Sequence, residues 1–428
     1  MVIREMSRRY FGTDGVRGIV GEAITPELVE RLGRAATSWS GRARVLVGRD
    51  TRASGAVLEE ALARGIAAAG GEAVLAGVLP TPAVALMAQD LGAVVTASHN
   101  PPEYNGVKLF DREGQKLGDD DEEQIEGLMD ASSSPELNGG SVERLEGAAE
   151  GYVEHVVERF GSDLSGLRIA VDCANGSYSG IAPAVFERLG AEVTAVANAP
   201  DGENINASCG ATALGLLQET VRAGGHDLGV AFDGDGDRML AVDERGEVVD
   251  GDQIVAVLAL AHRVDQVAVT VMTNLGFHRL MAEHDVAVHV TDVGDRYVLE
   301  AMRREGTVLG GEQSGHVIWL RDHVTGDGLA AGLLLCGALG GATLSEAVAA
   351  MPRFPQAKTN IRVRSRVVPQ VALEEAARLN AELAGAGRVL VRPSGTEPVI
   401  RVLAEAETAE EAESLCASIA RLIEEAAP

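Results

Sequence analysis

The densest chemistry in the chain is Asp233-Gly-Asp-Gly-Asp-Arg238, three carboxylates at alternate positions with glycines between them. Such a loop can wrap one hard cation with oxygen ligands, because three crowded carboxylates repel one another until a cation compensates them. A calcium EF-hand would need glycine at the sixth place, where Arg238 stands, and a helix before the loop. Here the strand pattern Leu228-Gly-Val-Ala-Phe precedes it. Mg²⁺ suits the loop because it keeps few protein ligands and leaves room for a phosphoryl oxygen. A plain acidic turn is the simpler alternative.

Thr96-Ala-Ser98-His-Asn-Pro-Pro102 follows the apolar run Ala93-Val-Val. A serine released at the end of a parallel strand sits where α/β sheets place their reacting groups, and the prolines fix the backbone behind it. The pattern is not GxSxG, so an esterase elbow is not indicated; beside a metal loop the serine reads as a nucleophile or phosphate carrier, and alone as a turn residue. Lys108 follows in Tyr104-Asn-Gly-Val-Lys. It is one of only three lysines, with Lys116 and Lys358, and could supply positive charge, or accept a proton if its pKa is lowered.

Arg392-Pro-Ser394-Gly395-Thr396-Glu-Pro398, with Arg401 after it, offers backbone N–H groups, two hydroxyls and two guanidiniums, a plausible phosphate nest. Gly310-Gly-Glu312-Gln-Ser314-Gly-His316 puts a carboxylate, an amide and a hydroxyl within reach of a sugar's hydroxyls. Phe11-Gly-Thr-Asp-Gly-Val-Arg17-Gly is a glycine-punctuated turn that presents a cation. Either could be an ordinary loop. Taken together, the five patterns suit a cleft holding a phosphorylated sugar, with its phosphate at one end and its reacting hydroxyl at the other.

These loops must be positioned by elements, and a strand–loop–helix–strand unit recurs from Arg44, from Leu167 and from Gln266. Alanine-rich or apolar helical stretches near 56–69, 182–189 and 277–284 lie between short apolar strands, as in βαβ units with parallel pairing. Three related α/β domains in tandem follow. The acidic run from Asp119 reads as a solvated helix that gives way to a linker around Ser132-Ser-Ser-Pro and Asn138-Gly-Gly. After Pro352–Pro355 the pattern changes to strands at 359–363 and 389–391 and a closing helix at 409–425, a smaller α+β domain. The expected divisions are 1–150, 151–252, 253–356 and 357–428.

Composition sets limits on function. The 428 residues are 46% hydrophobic and 24% charged, with 37 basic against 64 acidic residues and a net charge of −27. This is globular composition, and a surface so acidic is repelled by phosphodiester backbones, which argues against nucleic acid as a partner. The four cysteines form no CxxC pair, the first residues carry no apolar secretory core, and the charge-free run 328–345 is a packed helix with its loop rather than a membrane span. A cytoplasmic enzyme without membrane partners is expected.

As a set, TASHNP, DGDGDR and RPSGTEP resemble the α-D-phosphohexomutase family over essentially the whole chain. FGTDGVRG, GGEQSGH and Val293-Gly-Asp-Arg-Tyr-Val298 are most similar to its bacterial phosphoglucosamine mutase branch. The resemblance implies three α/β domains with mixed sheets and a C-terminal α+β domain, heart-shaped around a central cleft. It implies interconversion of glucosamine 6-phosphate and glucosamine 1-phosphate, feeding amino-sugar nucleotide and cell-wall precursor synthesis, in a monomer or homodimer. Ser98 would be the phosphoserine, holding one Mg²⁺ with Asp233, Asp235 and Asp237, and glucosamine 1,6-bisphosphate would be primer and intermediate. Arg17, Lys108, His316 and Arg238 would move protons and stabilise charge, and Glu312 and Ser314 would grip the sugar. Arg392, Ser394, Gly395, Thr396 and Arg401 would bind the non-reacting phosphate. Asp292 departs from the family's neutral or basic residue at that place. Glucose or mannose phosphates as substrates, or a metal-dependent sugar phosphatase, are the alternatives.

Overall fold

A computed structural model of the chain describes residues 9–12, 14–41, 43–130, 139–394 and 398–426. These form two compact units, one built from the chain up to Val271 with Val288–Val348, the other from Met272–Ala287 with the chain from Ala349 onward. The expected linker around Ser132-Ser-Ser-Pro lies outside the described residues.

The first unit contains three mixed sheets. In the first, the strands run in the order Val16–Ile19, Tyr104–Phe110, Leu91–Val95, Arg44–Arg49, Glu72–Val78, Ser141–Arg144. Arg44–Arg49 pairs in parallel with Glu72–Val78 and with Leu91–Val95, whereas Tyr104–Phe110 runs antiparallel to Leu91–Val95. Every residue of Leu91–Val95 is buried, as a central strand covered on both faces requires. The helix Pro26–Ser40 begins at Thr25, whose Oγ1 accepts from the Leu28 amide, with Pro26 in the first turn where its missing N–H costs nothing. It packs its apolar stripe of Val29, Leu32, Ala35 and Ala36 into the core of this sheet.

The second sheet has the order Val248–Val249, Met239–Asp243, Leu228–Phe232, Arg168–Asp172, Glu192–Val196. Its parallel strands Leu228–Phe232 and Arg168–Asp172 are followed by a sharp reversal, since Met239–Asp243 pairs antiparallel with Leu228–Phe232. The third has the order Ala287–Thr291, Gln266–Thr270, Leu309–Gly311, Val317–Trp319, with Gln266–Thr270 parallel to Leu309–Gly311. The charge-free run after Asp327 forms the helix Gly328–Ala338, buried from Gly328 through Cys336. Among the described residues no helix is long and apolar enough to cross a membrane.

The second unit is an antiparallel sheet, Gln356–Arg362, Val399–Glu405, Arg388–Pro393, carrying the helices Gln370–Leu383 and Ala409–Ala426. Ile361, Val389, Ile400, Val402, Cys416, Ile419 and Ile423 form its core. The helix Leu275–Glu283, expected within the third repeat, forms as expected but groups with this unit. Asn274 ties its start to the chain at Phe354, accepting from the Phe354 amide at 3.0 Å and donating to its carbonyl at 2.9 Å. The expected class, three α/β domains with mixed sheets and a smaller α+β domain, is what folds.

Candidate active site

Two strand ends meet in the first unit. Leu91–Val95 runs out into Thr96-Ala97-Ser98, and Leu228–Phe232 runs out into Asp233. Ser98 is 1% exposed, and its Oγ donates to Asp233 Oδ2 at 2.6 Å. Asp233, Asp235 and Asp237 are all buried and each turns a carboxylate oxygen inward, the three lying within 4.8 Å of one another. The glycines between them are required by contact. A Cβ on Gly236, at φ +79°, would lie 2.4 Å from the Tyr178 ring, and one on Gly234 would lie 2.7 Å from the Ser98 carbonyl. Side chains at either place would push the carboxylates off their common centre.

The charges of the loop are unequally compensated. Burial, then Asp237 and Asp235, pushes Asp233 well above the ordinary carboxylate value. Asp237 goes the other way: burial would raise it, but Lys108, His316 and Arg238 carry it well below. Among the described residues, Asp235 Oδ1 and Asp237 Oδ1 are buried without a hydrogen-bond partner. Clustered carboxylate oxygens, two of them with no hydrogen bond among the described residues and one carboxylate driven towards its neutral form, are a donor set that fits a hard divalent cation.

Lys108 rises from the strand Tyr104–Phe110 into this cluster. Its Nζ lies 2.7 Å from Asp235 Oδ2, 2.7 Å from Asp237 Oδ2 and 3.5 Å from Asp14 Oδ2. Burial would lower its pKa, but the three carboxylates outweigh burial and raise it. Of the two roles open to Lys108, the supply of positive charge is the one this environment favours, because a lysine among three acids loses its proton less readily than a free one. Arg17 is paired with Asp14, and Asp14, Asp235 and Asp237 raise its pKa against the effect of burial. Arg238 donates its amide to Asp233 Oδ1 at 3.1 Å and carries its guanidinium beside Asp237.

His316 lies in the turn between Leu309–Gly311 and Val317–Trp319, 2% exposed. Its Nδ1 is 3.9 Å from Asp237 and its Nε2 is 3.5 Å from Asp295. Burial works against the imidazolium, yet Asp295 and Asp237 hold the pKa above the ordinary value. Glu312 accepts from the Gly294 amide at 3.0 Å, and the exposed Ser314 lies 3.5 Å from Glu312 Oε2. The loop is docked onto the strand that follows the acidic loop, since the Met239 amide donates to the Gly315 carbonyl at 2.9 Å. Ser98, Lys108, Arg17, Arg238, His316, Glu312 and Ser314 are thus all carried by one unit. Asp292 is exposed.

In the second unit, Arg392 and Arg401 stand directly opposite each other across the antiparallel pair Arg388–Pro393 and Val399–Glu405. Ser394 is buried, its amide donating to the Val399 carbonyl at 2.9 Å. Gly395 and Thr396, expected in the same nest, lie outside the described residues.

Several residues of this arrangement escape a reading of local pattern. Asp14 receives Arg17, Lys108 and Lys116, and Lys116 in turn bridges Asp14 to Asp295. Thr81, at the start of the helix Thr81–Met87, donates its hydroxyl to Asp235 Oδ2 at 2.6 Å and its amide to the Asp235 carbonyl at 2.9 Å. His99 is pushed down to about 4 by burial and then by Arg238 and Arg17, and its neutral ring lies 3.3 Å from Ser98 Oγ. The available signals are the scarcity of lysine and the place of Asp14 in FGTDGVRG and of Asp295 in Val293-Gly-Asp-Arg-Tyr-Val298.

The chain is similar to known proteins over nearly its whole length. The four phosphoglucomutase/phosphomannomutase domain models match in order: alpha/beta/alpha domain I over residues 8–136, domain II over 150–246, domain III over 250–354, and the C-terminal domain over 353–422. The chain is 48% identical over 438 residues to a phosphoglucosamine mutase of Moorella thermoacetica, covering 97% of this chain and 99% of that protein. It is 48% identical over 441 residues to the phosphoglucosamine mutase of Symbiobacterium thermophilum, covering 97% and 98%. Among solved structures it resembles a phosphoglucomutase/phosphomannomutase family protein of Burkholderia thailandensis, with a TM-score of 0.83, 27% identity and 97% of each chain covered.

Proposed function

The chain belongs to the phosphoglucomutase/phosphomannomutase family, and from that premise we propose that it interconverts glucosamine 6-phosphate and glucosamine 1-phosphate through a phosphorylated Ser98. The observation that carries the reading is the buried contact of Ser98 Oγ with Asp233 at 2.6 Å. It sets a hydroxyl from the first α/β domain against the acidic loop of the second. The near-full-length likeness to phosphoglucosamine mutases supports the amino sugar as substrate.

Phosphoryl transfer asks a protein mainly for in-line positioning and for compensation of charge. In this reading Asp233, Asp235 and Asp237 hold Mg²⁺, which when bound neutralises charge on the phosphoryl oxygens. The bond from phosphorus to Ser98 Oγ breaks as a bond to the free hydroxyl oxygen of the sugar phosphate forms, and that hydroxyl loses its proton. Glucosamine 1,6-bisphosphate results. It turns end for end, and its other phosphoryl group returns to Oγ while the sugar oxygen regains a proton.

The chain's own residues divide this work. Lys108 and Arg17, both kept charged by the surrounding carboxylates, hold positive charge beside the acidic loop. His316, with its pKa raised, gives a proton to the departing sugar oxygen and takes one from the attacking hydroxyl. Glu312 and Ser314 bind sugar hydroxyls in both orientations, and Arg392, Ser394 and Arg401 bind the phosphate that is not reacting. Burial of Ser98 keeps water from a phosphoserine that would otherwise hydrolyse. The product then feeds amino-sugar nucleotide synthesis in the cytoplasm.

A coupled assay on glucosamine 6-phosphate, with glucose and mannose phosphates as competitors, tests the substrate. The highest kcat/KM is expected for the amino sugar. A preference for glucose or mannose phosphate, or release of inorganic phosphate in place of isomerisation, contradicts the reading.

A further inference from the structure

Arg52 is 1% exposed, and its fork of donors is spent on the serine loop. Nε donates to Asp50 Oδ2 at 2.9 Å. Nη1 donates to the carbonyls of Pro101 and Tyr104, and Nη2 donates to the carbonyls of Ser98 at 2.9 Å and Asn100 at 2.8 Å. From the second α/β domain, Asn206 Nδ2 donates to the same two carbonyls, Ser98 at 2.8 Å and Asn100 at 3.1 Å. The Ser98 amide is held as well, donating to Thr96 Oγ1 at 2.9 Å, while Thr96 Oγ1 donates to Asp50 Oδ2 at 2.7 Å. Ser98 itself sits at φ +52°, in the left-handed region that serine rarely occupies.

A strained backbone of this kind persists only where its surroundings over-determine it. A carbonyl has two lone pairs, and the Ser98 carbonyl receives one donor from each of two domains. Neutralising Asp50 alone would need neither the planar five-donor fork nor four carbonyls of one loop. We propose that Arg52 and Asn206 are positioning residues that clamp the serine loop, holding Ser98 in its left-handed conformation so that Oγ stays aimed at the acidic loop. Their role in turnover rests on the reading of Ser98 as the phosphoryl carrier. Their role in ordering the loop does not.

The test compares wild type with Asn206→Gly and Arg52→Lys, by steady-state kinetics and by amide hydrogen–deuterium exchange across residues 96–104. Glycine suits position 206 because the backbone there has φ +57°, so the donor is removed without new strain. Lysine at 52 keeps the charge beside Asp50 and loses the fork. For each variant kcat is expected to fall at least about tenfold with KM within about twofold, since a misaimed hydroxyl affects transfer rather than binding. Exchange across 96–104 is expected to rise while the rest of the chain is unchanged. If Arg52→Lys does not fold, Asn206→Gly decides. Unchanged exchange in this loop, a kcat within twofold of wild type, or a KM that rises as far as kcat falls, overturns the clamp. Wild type inactive on sugar phosphates overturns the functional reading instead, and the exchange result still decides the clamp.

Discussion

Ser98 Oγ and Asp233 Oδ2 are 2.6 Å apart, although 135 residues separate them in the chain. The two strands that deliver them belong to different sheets, so neither domain alone builds this contact. What joins them is a set of contacts through backbone and buried side chains, among them Thr81 to Asp235 and Asn206 to Ser98.

The acidic loop should answer to metal. Chelation is expected to abolish isomerisation, and Mg²⁺ to restore it and to raise the melting temperature. At a hundred times its Kd a ligand that binds only the folded state stabilises it by about 2.7 kcal/mol. Thermal melts with and without Mg²⁺ check this, and Asp235→Asn should blunt both the activity and the melting response.

Gly236→Ala should damage the same loop without touching a charge. The backbone there has φ +79° and the new Cβ would lie 2.4 Å from the Tyr178 ring. A destabilisation of about 1–3 kcal/mol is expected, together with weaker Mg²⁺ binding by calorimetry. An unchanged metal affinity would show that the loop tolerates the shift.

Asp327 supports the floor of the site and should give acid sensitivity. Its carboxylate accepts from Tyr152 and Tyr178, each at 2.8 Å, from His323 at 2.7 Å and from the Ala330 amide at 3.0 Å. The helix it caps begins at Gly328, whose amide donates to the Gly236 carbonyl at 3.0 Å. Burial would raise the pKa of Asp327, but His323, the Ala330 amide and Tyr152 hold it below the ordinary value. A depressed carboxylate stabilises the fold above its unfolded pKa and loses that contribution as the pH falls through its folded one. Asp327→Asn should therefore cost about 2–4 kcal/mol between pH 5 and 8, and the gap from wild type in urea melts should shrink below about pH 4.

Arg392 and Arg401 test the phosphate nest. Losing one charge-assisted contact to a phosphate costs about 1.5–3 kcal/mol, so Arg401→Gln should raise KM for the sugar phosphate about tenfold to a hundredfold. Because Arg401→Gln keeps a long polar side chain on the strand Val399–Glu405, the fold should melt near the wild-type temperature. A normal KM would remove these arginines from binding.

Much of this centre was legible in the sequence because the chemistry sits in contiguous loops at the ends of apolar strands. DGDGDR and TASHNP announce their backbone needs through glycine and proline, and the strands before them are unbroken apolar runs. The strand Val399–Glu405 and the helix Gln370–Leu383 were not foreseen, the first because it follows a polar loop without a break in pattern. Lys116 pairs with Asp14 and, 179 residues further along the chain, with Asp295, and no local spacing encodes such a meeting. Lys108 shows the converse. Its place was foreseen, but its protonation depends on Asp14 and two loop aspartates that only the fold assembles around it.

The proposed role of Ser98 is to carry a phosphoryl group and hand it to a sugar. The direct measurement loads the enzyme with radiolabelled phosphate from glucosamine 1,6-bisphosphate, maps the label by peptide mass spectrometry, then adds unlabelled glucosamine 6-phosphate. Label is expected on Ser98 and then in sugar phosphate, with no loading of Ser98→Ala. Label on another residue, or release as inorganic phosphate without labelled sugar, would contradict it.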